Sequence, residues 1–290
     1  MSNSDFPNFF FFGTGSFAHT FIEVLSKSAV YPSYVITVPD APKGRGLSLA
    51  SPLIKTWAEV KRIPCLQLEK LTDVESEKKL LDAGAPGADF FLVADYGKII
   101  PKNVFTLPRL GTLNIHPSLL PRLRGSSPIS SAILVDSEVG VTIMRIDEHM
   151  DHGPIIAQKK VEASPWPMRE EKLEALLAQA SVRLFLNILP NWIEGKVAEI
   201  PQDESKATYT PKHIKKEDGL IDMSENSEEN YRKFLAYHRK PGVFFFVIRK
   251  DKTLRVLIKE ARVQNGMFIP IRVTPEGKKE MEYEAFLRGV

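Results

Sequence analysis

Three residues of this 290-residue chain have the types and spacing for proton transfer and charge stabilisation around a carbonyl. Asn114 and His116 close a short apolar run, Gly111 to Ile115, that reads as a buried strand. Two apart on a strand, they project from one face. Asn114 brings an amide donor, and His116 an imidazole that donates or shuttles a proton. Asp151, within His149-Met150-Asp151-His152-Gly153-Pro154, brings a carboxylate from a later segment. It would favour the charged imidazole or hold a relaying water. Moving an acyl group from a formamide-like donor to an amine needs such a set. The developing oxyanion needs a donor, the leaving nitrogen needs a proton, and the reactants need holding in line. A strand-end Asn and His also form purely structural networks, so on the residues alone both readings stand.

The surrounding elements suit this placement. Strand-like runs at Asn8–Phe12, Tyr34–Val38, Phe90–Ala94 and Gly111–Ile115 alternate with helix-like segments at Phe17–Leu25 and Pro52–Val60. Alternation of this kind predicts an α/β fold with a wound, mainly parallel sheet, and such sheets place chemistry at the exits of their strands. Pro128–Leu134 reads as a helix, and Gly140–Ile146 and Ile155–Val161 as strands. Arg169–Ile193 reads as a long helix with Leu173, Leu177, Ala180, Leu184 and Ile188 on one stripe. The polar stretch Lys196–Lys212, with Pro201 and Pro211 at its ends, reads as a linker. Beyond it, Val243–Ile248, Leu254–Ile258 and Met267–Val273 are short β-prone runs, which predict a small all-β barrel. The expected domains are therefore residues 1–200 and 208–290.

Composition narrows the class. Hydrophobic residues make up 43% and charged residues 26%, ordinary for a folded water-facing protein. A single cysteine, Cys65, excludes an intrachain disulfide and fits a reducing compartment. The apolar run Phe9–Phe12 is too short for a signal core or a membrane span, so a cytoplasmic protein is expected; a monomer is the expected state. The net charge of +3 is uneven: Thr208 to Val290 carries 17 Lys and Arg against 12 Asp and Glu, the remainder 22 against 24. A basic tail suits a polyanion such as nucleic acid, or is simply a solvated face.

Two other motifs compete. Gly13-Thr14-Gly15-Ser16-Phe17-Ala18 matches a relaxed dinucleotide fingerprint, with Asp40 where a ribose-binding acid would stand. Glycine also suits any tight strand–turn–helix unit, so the match is weak. His149-x-x-His152 with Asp151 and His116 has loose metal-ligand spacing and no cysteine, and no metal is expected.

The segment Asn114-Ile115-His116-Pro117-Ser118-Leu119-Leu120-Pro121 with the later Asp151 resembles the folate-dependent formyltransferases. Further likeness runs along nearly the whole chain, through Val38-Pro39-Asp40, Pro42-Lys43-Gly44-Arg45-Gly46, Val93-Ala94-Asp95-Tyr96-Gly97 and Arg122-Leu123-Arg124-Gly125. It continues in Ala207-Thr208-Tyr209, Lys216-Glu217-Asp218-Gly219 and the closing Pro275-Glu276-Gly277. The basic loop and the C-terminal module are similar to the branch of that family acting on initiator methionyl-tRNA. The resemblance implies Asn114, His116 and Asp151 as catalytic. It implies Ser118, Leu119, Leu120 and Pro121 with Asp95, Tyr96 and Gly97 around 10-formyltetrahydrofolate, and Lys43 and Arg45 on the tRNA acceptor stem. The alternative within the family is transfer to a small amine, an amino sugar or nucleotide. His152 departs from the family, where a small residue or threonine is more usual.

Overall fold

Four consecutive phenylalanines, Phe9 to Phe12, are all buried and found the core. On a strand they point to both faces, so the strand must lie inside a sheet covered on both sides. Phe9 stacks on Phe90 with ring centroids 5.2 Å apart, while Phe10 and Phe12 pack on Phe91 at 5.5 and 5.0 Å. The computed structural model describes residues 6–43, 48–135, 138–224, 227–249 and 252–289.

In chain order, β1 (Phe9–Gly13) leads into α1 (Ser16–Ser26) and β2 (Tyr34–Thr37). A hairpin of β3 (Ala41–Lys43) and β4 (Ser48–Ala50) precedes α2 (Leu53–Lys61), β5 (Cys65–Gln67) and α3 (Val74–Asp82). Then come β6 (Phe90–Ala94), α4 (Lys102–Phe105), β7 (Thr112–His116), α5 (Pro128–Leu134), β8 (Gly140–Arg145) and β9 (Ile155–Lys160). After α6 (Glu170–Ile193) and α7 (Ser227–Tyr237), the chain forms β10 (Val243–Arg249), β11 (Lys252–Gln264), β12 (Met267–Pro275), β13 (Met281–Glu282) and α8 (Tyr283–Leu287).

Seven strands form one sheet in the order β5-β2-β1-β6-β7-β8-β9. Pairing is parallel from β5 to β7, and antiparallel for β7 with β8 and β8 with β9. The order reverses direction at β1 and β6, the kind of switch point beside which wound sheets carry their sites. The register pairs Ala94 with Ile115, so the turns leaving β6 and β7 lie side by side.

The chain divides into two compact units, discontinuous in sequence. The first comprises Met1–Ser126, Glu138–Glu162 and Glu174–Tyr209, and holds the seven-stranded sheet. The second comprises Ser127–Ser137, Ala163–Leu173 and Thr210–Val290. It holds a four-stranded antiparallel sheet, β10-β11-β12-β13. Two elements here have no counterpart in the all-β expectation, α7 and α8. The helix α7 packs on α5 and on β11 and β12, with Phe234 6.3 Å from Phe268. Its charged surface positions hid this buried side from a reading by overall polarity.

Local chemistry explains the boundaries. Asp73 caps α3 by accepting from the Ser76 amide at 2.8 Å. Arg62 ends α2 in the left-handed region at φ +58°. The long helix α6 has the length and hydropathy of a membrane span, yet much of it is core. Its buried stripe runs through Leu173, Leu177, Ala178, Val182, Phe185, Leu189 and Trp192, while Ala180, Leu184 and Ile188 are only half-buried. The stripe shifts because Phe185 and Trp192, the largest side chains available, both pack on Phe90.

Candidate active site

The strand β7 delivers Asn114 and His116 to one face at its carboxyl end, with Leu113 and Ile115 buried on the other. Asp151 arrives on the turn between β8 and β9. Its Oδ1 accepts from Asn114 Nδ2 at 3.2 Å and lies 3.6 Å from His116 Nδ1. Its Oδ2 accepts from the Gly125 amide at 2.8 Å. The three residues named from spacing therefore meet around one carboxylate. His116 is 4% exposed. Its Nε2 lies 2.9 Å from the Leu123 carbonyl. A carbonyl only accepts, so Nε2 carries a proton, and Nδ1 is the nitrogen that faces Asp151.

The loop Pro117–Gly125 is held from several directions. Ser118 Oγ donates to the Arg122 carbonyl at 2.7 Å, and Thr142 Oγ1 donates to the Ser118 carbonyl at 2.7 Å. Gln158 Nε2 donates to the Leu120 carbonyl at 2.8 Å. Ser118 and Leu120 are buried, whereas Leu119 and Pro121 are half-buried. The first pair thus shapes the loop from inside, and the second is nearer its surface.

The stretch expected to be a linker is a strap across this site. Ile200 pairs with Ile155, and Thr208 exchanges backbone bonds with Pro121 and Arg124. Arg124, 1% exposed, holds Glu204 with both terminal nitrogens, at 2.9 and 2.6 Å, and Gln202 with Nε and Nη2, at 3.1 and 2.8 Å. Polar composition and flanking prolines describe a strap of hydrogen bonds as well as they describe a linker, so the sequence carried no distinguishing signal. His152 joins the edge of the network, with Nδ1 2.6 Å from Asp147 Oδ2 and Nε2 3.6 Å from Glu204.

The turn after β6 carries Asp95, Tyr96 and Gly97. Asp95 adopts φ +45°, and its carbonyl accepts from the amides of Thr14 and Gly15. Its carboxylate accepts from the amides of Phe17 and Ala18, capping α1 from a different strand. The residue as a whole is exposed, but the carboxylate is sunk against the helix and beside the buried Glu174. Burial, with the charge of Glu174 adding to it, pushes Asp95 up to about 6. The acid is protonated in both states below its ordinary value of 3.8. Between there and about 6 only the unfolded chain releases the proton, so stability falls as pH rises through that window. Asp95→Asn keeps an acceptor for the helix amides. It is expected to raise the melting temperature at pH 7.5 and to leave it unchanged at pH 3.5. A lowered melting temperature at pH 7.5 would show that the charged form is the stabilising one.

The dinucleotide reading loses its acid. Asp40 binds Lys55 at 2.8 Å and Gln67 at 2.7 Å, which holds its carboxyl below the usual range. Those bonds brace the stem of the β3–β4 hairpin. Lys43 ends β3, while Gly44, Arg45 and Gly46 lie outside the described residues. A cavity of about 530 Å³ beside Arg109, Gly111, Arg145 and Trp192 sits at the amino end of β7, on the edge away from Asn114 and His116. Its cations are already paired, Arg109 with Asp89 and Arg145 with Glu199.

Comparison with known proteins gives the family. The formyl transferase family pattern matches residues 8–189. A methionyl-tRNA formyltransferase of Dictyoglomus turgidum is 33% identical, across 96% of this chain and 95% of its own. One from Acidobacterium capsulatum is 35% identical over the same shares. Among solved structures, the N-formyltransferase of Helicobacter canadensis with folinic acid and dTDP-3-aminofucose superimposes with a TM-score of 0.60. It is 19% identical, covering 90% of this chain and 89% of that one, and so speaks for the fold.

Proposed function

We infer the activity of this chain from the formyl transferase family, to which it belongs. It transfers a formyl group from a folate-type donor to the α-amine of methionine on initiator tRNA, a step of translation initiation. The observation that carries the reading is a full-length likeness to methionyl-tRNA formyltransferases joined to a hydrogen-bonded Asn114, His116 and Asp151. We take the donor to be 10-formyltetrahydrofolate, the enzyme to act as a monomer, and its compartment to be the cytoplasm, where charged tRNA is used.

The donor fits the edge formed by the turns after β6 and β7. Ile99 is 78% exposed there and gives an apolar surface for a flat heterocycle, and the Tyr96 hydroxyl is buried without a hydrogen-bond partner. Leu119, Pro121 and the Asp95–Gly97 turn would wall it, with Ser118 and Leu120 supporting from behind. When bound, the donor supplies a carbonyl carbon open to attack by an amine. Asn114 has one amide hydrogen on Asp151 and a second for the carbonyl oxygen, whose negative charge grows during transfer. His116 Nδ1 accepts or returns the proton that must pass between the incoming and leaving nitrogens. Asp151 holds the imidazole and the amide in one plane of action, its second oxygen pinned by the Gly125 amide.

Lys43 and Arg45 would contact the phosphates of the acceptor stem. The test supplies 10-formyltetrahydrofolate with either charged initiator tRNA or free amino sugars. Formylation of the charged tRNA is expected, with kcat/KM falling about 10-fold or more over a fourfold rise in salt. Arg45→Ala should weaken use of tRNA while donor binding stays the same. A free amino sugar outcompeting charged tRNA would transfer the assignment to small amines.

A further inference from the structure

Asp151 stands at φ +50°, in the left-handed region that aspartate enters more readily than most residues, and contacts around the turn fix it there. The side chain of Gln202 reaches this turn from the strap. Its Nε2 donates to the Asp151 carbonyl at 2.9 Å and to the Gly153 carbonyl at 2.8 Å. Its Oε1 accepts from Arg124 Nε at 3.1 Å and Nη2 at 2.8 Å. Both hydrogens and both lone pairs are thereby engaged, and only one orientation of the amide satisfies two carbonyls on one side and a guanidinium on the other. Arg124 is itself adjacent to Leu123, whose carbonyl fixes His116, and to Gly125, whose amide fixes Asp151. Gln202 therefore joins the two segments that carry the proposed acid/base pair, bonding the backbone of one and the guanidinium of the other.

We propose that Gln202 is a positioning residue of the formyl-transfer reaction, holding the Asp151 turn in register with His116 and Asn114. The proposal rests on the function inferred above. It touches neither substrate, so its loss acts through Asp151. A shift of that carboxylate leaves binding largely intact and misaligns the proton transfer, which tells on turnover.

Gln202→Glu separates the two halves of the contact. The carboxylate keeps Arg124 and so keeps the strap, but has no hydrogen for the carbonyls of Asp151 and Gly153. With charged initiator tRNA and 10-formyltetrahydrofolate, kcat is expected to fall about 10-fold, with KM for both substrates within about threefold and the melting temperature within a few degrees of wild type. Gln202→Ala should match it in kcat and melt lower. Placed on Asp151→Asn, Gln202→Glu should add little further loss, because the two act through one carboxylate. Wild-type kcat in a folded Gln202→Glu, or full additivity with Asp151→Asn, would overturn the proposal. So would losses of kcat and donor affinity in equal proportion. Failure of the wild-type protein to formylate charged tRNA would instead count against the inferred function.

Discussion

Alanine at Asn114, His116 or Asp151 is expected to lower turnover by about 10²-fold or more, near 2.7 kcal/mol of lost transition-state stabilisation. Asp151→Ala should be the most severe. One carboxylate accepts from Asn114, faces His116 and holds the Gly125 amide, so its removal disturbs three groups at once. Asn114→Ala removes the proposed donor to the oxyanion and its bond to Asp151 Oδ1, and His116→Ala removes the proposed proton carrier. Because the three act together, the triple variant should be scarcely worse than Asp151→Ala. Circular dichroism and donor binding should remain near wild type in each. Near-normal turnover in all three folded variants would dismiss the site.

A second large effect is expected two residues beyond Asp151. A Cβ on Gly153 would stand 1.9 Å from the Arg145 carbonyl oxygen and 3.0 Å from its carbon. Those are backbone atoms of β8, which cannot swing aside as a side chain tip would. Gly153→Ala must push the whole turn outward, breaking the Gln202 bond to the Gly153 carbonyl and moving Asp151 off His116. The expected loss is about 3 kcal/mol of stability, read as a fall in melting temperature, with turnover at or below the level of Asp151→Ala. Gly87→Ala is the control, since nothing lies within 4 Å of a Cβ there. Equal melting temperatures for the two variants would mean that the turn yields more easily than this backbone packing allows.

The residues that could be read from sequence are those whose signal is local. The period of two placed Asn114 and His116 on one face, and the apolar runs located β1, β6 and β7, because a buried strand must be apolar on both sides. The short strands β3, β4 and β5, three residues each, hold too few positions to show a period. The helices α3 and α7 were masked by their charge, although each buries a face. What held Asp151 in place was not legible at all. Gln202, Arg124 and Thr208 earn their roles only by meeting residues some 50 to 85 positions away, and nothing in the local pattern of Lys196–Lys212 distinguishes a strap from a tether.

The strap also fixes an order of assembly. Asn114, His116, Arg124 and Asp151 leave the ribosome before Ile200, Gln202, Glu204 and Thr208, since synthesis runs from the amino end. A nascent chain that stops short of residue 200 contains the three proposed catalytic side chains and every strand of the large sheet. It keeps the bonds of Asn114 and Gly125 to Asp151 but lacks those that Gln202 and Glu204 make to the Asp151 turn and to Arg124. Full bracing of the turn therefore arrives late, over about ten residues of elongation. A truncated product would carry the candidate residues on a turn that lacks its Gln202 brace.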